Sequence, residues 1–173
     1  MWIIENSAEL LNTLQKKIRN LATYDFSTLY TSIPHGKLKE QLSEVIMKAY
    51  RGMNRKLIKL HSSYATWSNK KTKDTIDLDI LMEMINWLID NTYITIGNTV
   101  CKQTIGITMG TDCAPYLTNL FLYSYEFKFA NETLKQKATL YKFNKCFRYI
   151  DDLLVINNDK LMDDLRREYT HHY

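Results

Sequence analysis

Residues 147–156 read FRYIDDLLVI, in which two adjacent aspartates, Asp151 and Asp152, interrupt an otherwise apolar run. A buried carboxylate without a partner is destabilising unless it takes up a proton, and two adjacent carboxylates also repel each other. The flanking segments 146–149 and 153–156 have the composition of β-strands, with a tight turn between them. The sequence therefore predicts a β-hairpin that carries both aspartates at its tip, in contact with solvent.

A divalent cation relieves the repulsion between neighbouring carboxylates, and hard Mg²⁺ prefers oxygen ligands. A further carboxylate, Asp25, follows a run of strand-forming residues in TYDFSTLYTSIPH (residues 23–35). Because Asp25 and Asp151 are 126 positions apart, only the fold can bring them together. Three carboxylates can hold two metal ions about 3.5–4 Å apart. Taken alone, an Asp-Asp pair is equally common as a helix cap or on a solvated face, so the metal hypothesis depends on Asp25.

The length and composition predict one globular domain over residues 1–173, with 45% hydrophobic residues, 5 glycines and 2 prolines. The mixture of predicted strands and long helices indicates the α+β class. The net charge of +4 is compatible with nucleic acid as a partner but does not establish one. The three cysteines form no CxxC pair, which argues against zinc and favours a reducing, intracellular compartment. The sequence contains no apolar run long enough to span a bilayer, so we expect no membrane partner.

Hydrophobic periodicity and turn residues divide the chain into helices, strands and loops. The predicted helices cover residues 7–20, 35–50, 78–91, 114–131 and 159–169. The predicted strands are 21–30 and the arms of two hairpins, one in 146–156 and one in 93–103 with Gly97 and Asn98 as its turn. Residues 61–77 are polar and aperiodic, which predicts an exposed connection.

Several of these stretches together resemble the palm region of a reverse transcriptase, specifically that of Penelope-like retroelements. The YIDD stretch (149–152) resembles the metal-binding hairpin motif, and YDFSTLYTSIPH (24–35) resembles the first palm motif. IGITMGTDCAPYLTNLFL (105–122) resembles the motif that contacts template and nucleotide. The segments ENSAELL, LIDNTYITIG and YSYE are similar to the spacers of this group, so the resemblance extends from about Glu5 to Asn158.

The resemblance implies that Asp25, Asp151 and Asp152 bind two Mg²⁺ or Mn²⁺ ions, with the Phe26 carbonyl as an additional ligand. Tyr30, five positions after Asp25, takes the place of the aromatic sugar gate, whose ring crowds a ribose 2′-oxygen and so favours deoxynucleotides.

Met109 and Gly110 stand where many relatives carry Gln-Gly, and Gly110 would allow close approach of the backbone to the nucleotide. Two departures from the group are Thr108, where proline is frequent, and Thr118, where alanine is frequent.

The function implied is that of an RNA-directed DNA polymerase, which transfers a nucleotidyl group from a dNTP to a primer 3′-hydroxyl. The implied fold is a polymerase palm-like antiparallel sheet with packed helices, and the implied partners are an RNA template and a DNA primer, in the nucleus or cytoplasm. Only 24 residues precede Asp25 and 21 follow Asp152. We therefore expect a palm fragment whose fingers and thumb are largely missing and belong to a longer polyprotein.

Two alternatives stay open at this point. The first is a catalytically inactive retroelement remnant, at most a weak nucleic-acid-binding domain, which an intact set of aspartates with missing flanks does not exclude. The second is a two-metal nuclease, which also uses clustered carboxylates. A nuclease does not explain an aromatic residue five positions after Asp25 or the MGTDCAP loop, and it would require that residues 147–156 form no hairpin.

Overall fold

The structure of the chain is a computed structural model. It describes residues 2–4, 8, 10–11, 14, 18–26, 28–54, 56–133 and 145–158. These residues form two compact units, one drawn from 1–29 and 125–173 and the other from 30–124.

The described residues include nine strands and four helices with assigned bounds. The strands are β1 (Trp2–Ile3), β2 (Leu21–Asp25), β3 (Leu57–Leu60), β4 (Ala65–Ser68), β5 (Thr75–Ile76), β6 (Tyr93–Ile96), β7 (Thr99–Lys102), β8 (Cys146–Tyr149) and β9 (Asp152–Ile156). The helices are α1 (Leu29–Ser32), α2 (His35–Gly52), α3 (Leu78–Asp90) and α4 (Ala114–Thr133). None of the helices described is both long enough and apolar enough to cross a membrane.

The first unit contains a four-stranded sheet in the order β1-β8-β9-β2. Strand β9 pairs antiparallel with both β8 and β2, whereas β1 runs parallel to β8. The inner strands form because their residues are apolar and mostly buried, among them Phe147, Leu153 and Val155. Burial among these side chains raises the pKa of the Cys146 thiol to about 12, so this cysteine is unreactive at neutral pH.

The second unit is built around the amphipathic helix α2, which buries Leu38, Leu42 and Ile46 on one face. Gln41 is buried on the same helix, where its side-chain oxygen accepts a hydrogen bond of 2.9 Å from the Ser124 hydroxyl. The unit also contains a three-stranded antiparallel sheet in the order β4-β3-β5 and the two-stranded hairpin β6-β7.

Helix α3 begins at a side-chain cap and lies beside α2. The Asp77 carboxylate accepts a hydrogen bond of 3.0 Å from the Ile80 amide, as an N-cap residue does. At the other end of α3, Asp90 lies 2.5 Å from the Lys39 ammonium group of α2. This hydrogen bond, together with nearby positive charge, lowers the pKa of the exposed Asp90 carboxyl.

Most of the predicted elements are confirmed. The helices predicted at 35–50, 78–91 and 114–131 are α2, α3 and α4, and the hairpin at 93–103 is β6-β7 with a two-residue loop. Most of residues 61–77 are exposed, as predicted, but the segment is more than a connection, because β4 and β5 lie within it and both pair with β3.

Three other predicted elements are shorter than expected or lie partly or wholly outside the described residues. The strand predicted at 21–30 ends at Asp25, and helix α1 follows it. Of the helix predicted at 7–20, the structure describes only a few positions, of which 8, 10 and 11 are helical and 18–20 are not. The helix predicted at 159–169 lies outside the described residues.

Candidate functional site

The first unit places Asp25 directly opposite Asp152 in the sheet. Asp25 is the last residue of β2, Asp152 is the first residue of β9, and the two are register partners in the antiparallel pair. The Cβ atoms of residues that face each other in this way lie about 4.5–5.5 Å apart on the same face of the sheet, and like charges at such positions destabilise it. The fold therefore brings together two carboxylates that are far apart in the sequence, at a position that favours a cation between them.

Asp151 lies in the turn that joins β8 to β9. Tyr149 pairs with Asp152, which leaves Ile150 and Asp151 as the two loop residues of the hairpin. The Asp151 carbonyl accepts a hydrogen bond of 3.2 Å from the Phe26 amide, so the turn is connected to the chain that leaves β2. The predicted hairpin is confirmed, with one correction: Asp152 does not lie at the tip but begins β9, because it pairs with residues on both sides.

The turn is held in an unfavourable backbone conformation. Ile150 has a φ of 54°, in the left-handed region that β-branched residues rarely adopt. Of the two loop residues of the hairpin, only Ile150 has a positive φ. A position with a positive φ usually holds glycine, so the isoleucine stores strain next to the two aspartates.

A buried ion pair supports this strained turn. The Arg148 side chain is fully buried, and its Nε donates a hydrogen bond of 2.5 Å to Oε1 of Glu126, which is itself 8% exposed. A second guanidinium nitrogen, Nη1, donates to the Ile150 carbonyl at 2.8 Å. Sequence reasoning missed this pair, although an arginine inside the apolar run CFRYI was a signal that a buried carboxylate must lie nearby.

The chemistry of the donors at this end of the sheet suits Mg²⁺ or Mn²⁺. Asp25, Asp151 and Asp152 offer carboxylate oxygens, which are the ligands that these hard cations prefer. In the part of the chain that the structure describes, however, no three His, Cys, Asp or Glu side chains already form a group able to hold an ion. The Phe26 carbonyl, predicted as an additional ligand, accepts a hydrogen bond of 2.9 Å from the Leu29 amide.

The residues predicted to contact the nucleotide belong to the second unit. Tyr30 is half-buried in α1, and its carbonyl accepts a hydrogen bond of 2.6 Å from the Ile107 amide. Met109 is 66% exposed. Gly110 has a φ of 99°, and no neighbouring atom lies within 4 Å of the position that a Cβ would occupy.

A second glycine, Gly106, packs against the backbone of Tyr30. The sequence analysis did not identify this glycine as important. Its amide donates a hydrogen bond of 2.7 Å to the Ile33 carbonyl, and its φ is 86°. A Cβ at this position would clash with the Tyr30 carbonyl oxygen. Gly106 therefore allows the loop after β7 to approach α1, which fixes the start of the Met109–Gly110 segment.

The second unit also contains a cavity of about 190 Å³, lined by residues of α2, α3, α4 and the loop after β7. His35 lies in its wall, with Nε2 at 2.8 Å from the Gly106 carbonyl oxygen. None of the predicted site residues, neither the aspartates nor Tyr30, Met109 and Gly110, lines this cavity.

Comparison with known proteins yields one kind of similarity. No family model matches the chain, and no curated protein matches its sequence. Among solved structures, the chain is similar to apo telomerase from Candida tropicalis truncated from its C-terminal domain, with a TM-score of 0.59 and 14% identity. The similarity covers 98% of this chain.

The chain has a distant reverse-transcriptase-like fold. The predicted α+β, polymerase palm-like architecture is thereby confirmed, since telomerase is a polymerase of the reverse-transcriptase type. The chain spans about a third of the telomerase chain that it matches, namely 32% of its length.

Proposed function

We propose that this chain is the palm of an RNA-directed DNA polymerase, from a Penelope-like retroelement, and that it carries out two-metal nucleotidyl transfer. The observation on which the proposal rests is the register of β2 and β9, which sets Asp25 opposite Asp152. A cross-strand pair of like charges is unfavourable unless a cation lies between them. The order of motifs around these aspartates and the reverse-transcriptase-like fold support the same function.

In this reaction the 3′-oxygen of the primer attacks the α-phosphorus of a dNTP, the bond to pyrophosphate breaks, and the hydroxyl proton is released. Bound Mg²⁺ would supply charge neutralisation and a lowered pKa of the attacking hydroxyl. Asp25 and Asp152 would hold the ions from opposite strands, and Asp151 would hold them from the turn. The protein's own contribution is to fix these oxygens before substrate arrives, through the Phe26–Asp151 and Arg148–Ile150 hydrogen bonds.

The roles of Tyr30 as sugar gate and of Met109 and Gly110 as nucleotide contacts are part of the same proposal, as are the RNA template and DNA primer. They rest on the motifs in which these residues occur. The exposure of Met109 and the open space beside Gly110 leave both positions accessible to a ligand.

Metal-directed cleavage tests the ion site without requiring turnover. Fe²⁺ bound in place of Mg²⁺ generates hydroxyl radicals with ascorbate and peroxide, which cut the backbone close to the ion. We expect cuts around residue 25 and around residues 150–152, suppressed by excess Mg²⁺. The variants Asp25→Asn and Asp152→Asn should lose both sets of cuts, whereas Asp79→Asn, at an exposed position of α3, should retain them.

Primer extension tests the reaction itself. With an RNA template, a DNA primer, dNTPs and Mn²⁺, we expect this chain alone to extend the primer inefficiently, as a palm fragment would, and Asp152→Asn to lower that extension on the order of 100-fold or more. Equal extension by both proteins would assign the activity to a contaminant and contradict the proposed function. Cuts at the metal site without any extension would favour the inactive-remnant alternative.

A further inference from the structure

The positive charge of this chain is concentrated in one segment. Residues 51–73 contain seven arginine and lysine residues and no aspartate or glutamate, whereas the whole chain has a net charge of only +4. The rest of the chain is therefore net negative. The seven are Arg51, Arg55, Lys56, Lys59, Lys70, Lys71 and Lys73. This segment contains β3 and β4, and four of its lysines lie on β3 or in the connection between β4 and β5: Lys59, Lys70, Lys71 and Lys73.

The two faces of this sheet differ in character. Ile58 pairs with Trp67 on one side and with Ile76 on the other, which gives one apolar face. Trp67 packs edge-to-face on Tyr50 of α2, with ring centroids 4.9 Å apart, so the apolar face is turned towards the helix. The opposite face therefore faces away from α2.

This opposite face is mostly polar and carries a positive charge. It consists of Lys59 with its two register partners, Thr66 and Thr75, and of the neighbouring pair Leu57 and Ser68. Three more lysines follow in the connection between β4 and β5, at 70, 71 and 73, and all three are exposed. Hydrogen bonds order this connection, since the Lys70 amide donates to the Ser68 hydroxyl at 3.1 Å. Among the described residues, no carboxylate forms an ion pair with any of these four lysines.

A pair of stacked rings stands at the end of the same polar face. The His61 amide donates to the Tyr64 carbonyl at 2.9 Å across a two-residue turn, and their rings stack with centroids 4.3 Å apart at 15°. His61 Nε2 lies 3.1 Å from the Thr66 hydroxyl, which places the stack on the face that carries Lys59. Tyr64 is 61% exposed, so the side of its ring away from His61 is accessible.

We propose that the polar face of β4-β3-β5, with the lysines at 59, 70, 71 and 73 and the His61–Tyr64 stack, is a binding surface for single-stranded nucleic acid. Lysines without carboxylate partners attract backbone phosphates, and an accessible aromatic ring provides a platform on which an unpaired base stacks. A duplex would satisfy the lysines but not Tyr64, because its bases are stacked on each other. The surface uses none of the aspartates, so it extends the proposed function and does not depend on the metal site.

Binding of a fluorescein-labelled oligouridylate of about 12 nucleotides, measured by fluorescence anisotropy in EDTA, tests the surface. We expect Tyr64→Ala to weaken binding by about 5- to 140-fold, whereas Tyr64→Phe retains it, because stacking needs the ring and not the hydroxyl. Replacement of the lysines at 70, 71 and 73 by glutamine should reduce the salt slope of log K by about 2, at about 0.7 per phosphate contact.

A matched control separates this surface from net charge alone. Lys37, Lys48 and Lys102 also belong to the second unit but lie outside residues 51–73, and replacing all three by glutamine removes the same charge. We expect this control to change the salt slope little. Circular dichroism establishes that each variant is folded. Equal weakening by the two triple variants, equal affinity of Tyr64→Ala and Tyr64→Phe, or tighter binding of a duplex of the same length would each overturn the proposal.

The same assay distinguishes a failure of this proposal from a failure of the proposed function. Asp152→Asn should bind the oligonucleotide as the unchanged protein does, because EDTA removes any metal contribution. If the chain binds the oligonucleotide but gives no metal-directed cuts, the proposed binding surface is supported and the proposed polymerase function is contradicted. If the chain gives the cuts but binds no oligonucleotide, the proposed metal site is supported and the proposed binding surface is contradicted.

Discussion

At the scale of single residues, the conformation of Ile150 is the most unusual feature of the candidate site. An L-residue in the left-handed region costs roughly 1–2 kcal/mol, and a β-branched side chain makes the conformation rarer still. Two interactions hold the turn in place: Arg148 bonds to the Ile150 carbonyl, and Phe26 bonds to the Asp151 carbonyl. The strain is thus stored beside the aspartates and offset by one contact from β8 and one from the residue that follows β2.

Replacing Ile150 by glycine and by alanine measures this strain, because both variants remove the side chain and differ only in backbone preference. We expect the glycine variant to be the more stable of the two, by about 1 kcal/mol in urea unfolding. At an ordinary strand position the order is reversed, with glycine less stable by roughly 0.5–1 kcal/mol. Leu154, half-buried in the middle of β9, supplies that control. The alanine variant being the more stable at position 150 would contradict the positive φ.

The sequence identified the aspartates but not the residues that position them. Asp25, Asp151 and Asp152 are recognisable because carboxylates in apolar surroundings are chemically conspicuous. The strain at Ile150, the clash that forbids a side chain at Gly106 and the partner of Arg148 depend on distant chain segments. No local pattern encodes such contacts, so these features became visible only in the folded chain.

At the scale of elements, the β8-β9 hairpin is tied to helix α4 by the pair of Arg148 and Glu126. Both side chains are buried, so each charge needs the other, and the guanidinium also supplies the hydrogen bond to the turn. A buried pair of this kind is strongly destabilising to break, by about 3–5 kcal/mol, but replacing both partners by apolar residues is often neutral or stabilising. We therefore expect the ion pair to fix the position of the hairpin more than it increases the net free energy of unfolding.

Three variants separate these effects. Glu126→Gln should destabilise the chain by about 3–5 kcal/mol in urea unfolding, because the Arg148 charge stays buried without its partner. The double variant Arg148→Met with Glu126→Leu should recover most of that stability. It should nevertheless lose metal-directed cuts at residues 150–152, since the Ile150 carbonyl has lost its donor. Cuts of undiminished intensity in a stable double variant would show that the pair only stabilises the fold.

Periodicity predicted the elements unevenly, for a physical reason. Helices α2 and α3 each have one apolar stripe, which predicts a helix from the sequence. The β6-β7 hairpin has a Gly-Asn turn, which predicts a hairpin in the same way. Strands β4 and β5 are short, and on one face they carry the polar residues Thr66, Ser68 and Thr75. They form strands because each pairs with β3, which lies between them. The polar residues of these segments give no strand pattern, so this pairing could not be predicted from the sequence.

At the scale of the whole molecule, the fold is retained with very little sequence identity. The telomerase match covers 98% of the chain at 14% identity, so the pattern of buried and exposed positions specifies the fold more than the residues themselves do. The charges are also arranged at this scale, with an excess of cations in residues 51–73 and of carboxylates elsewhere. A resemblance of motifs therefore predicted the fold class correctly, whereas the placement of charge required the sheet topology.

Stability as a function of divalent ions reports on the whole chain. Without metal, Asp25 and Asp152 repel each other across β2 and β9, so Asp152→Asn should raise the melting temperature slightly, by an amount that corresponds to about 0.2–1 kcal/mol. With Mn²⁺ at ten times its Kd, the unchanged chain should gain about 1.4 kcal/mol by mass action, or roughly 3–6 °C for this size. Asp152→Asn should lose this gain, whereas the control Asp79→Asn should keep it. The two changes have opposite signs in a single variant, which general loss of structure cannot produce. An identical rise with Mn²⁺ in all three proteins would mean that the ion binds elsewhere, and the pairing of Asp25 with Asp152 would then have no role in metal binding.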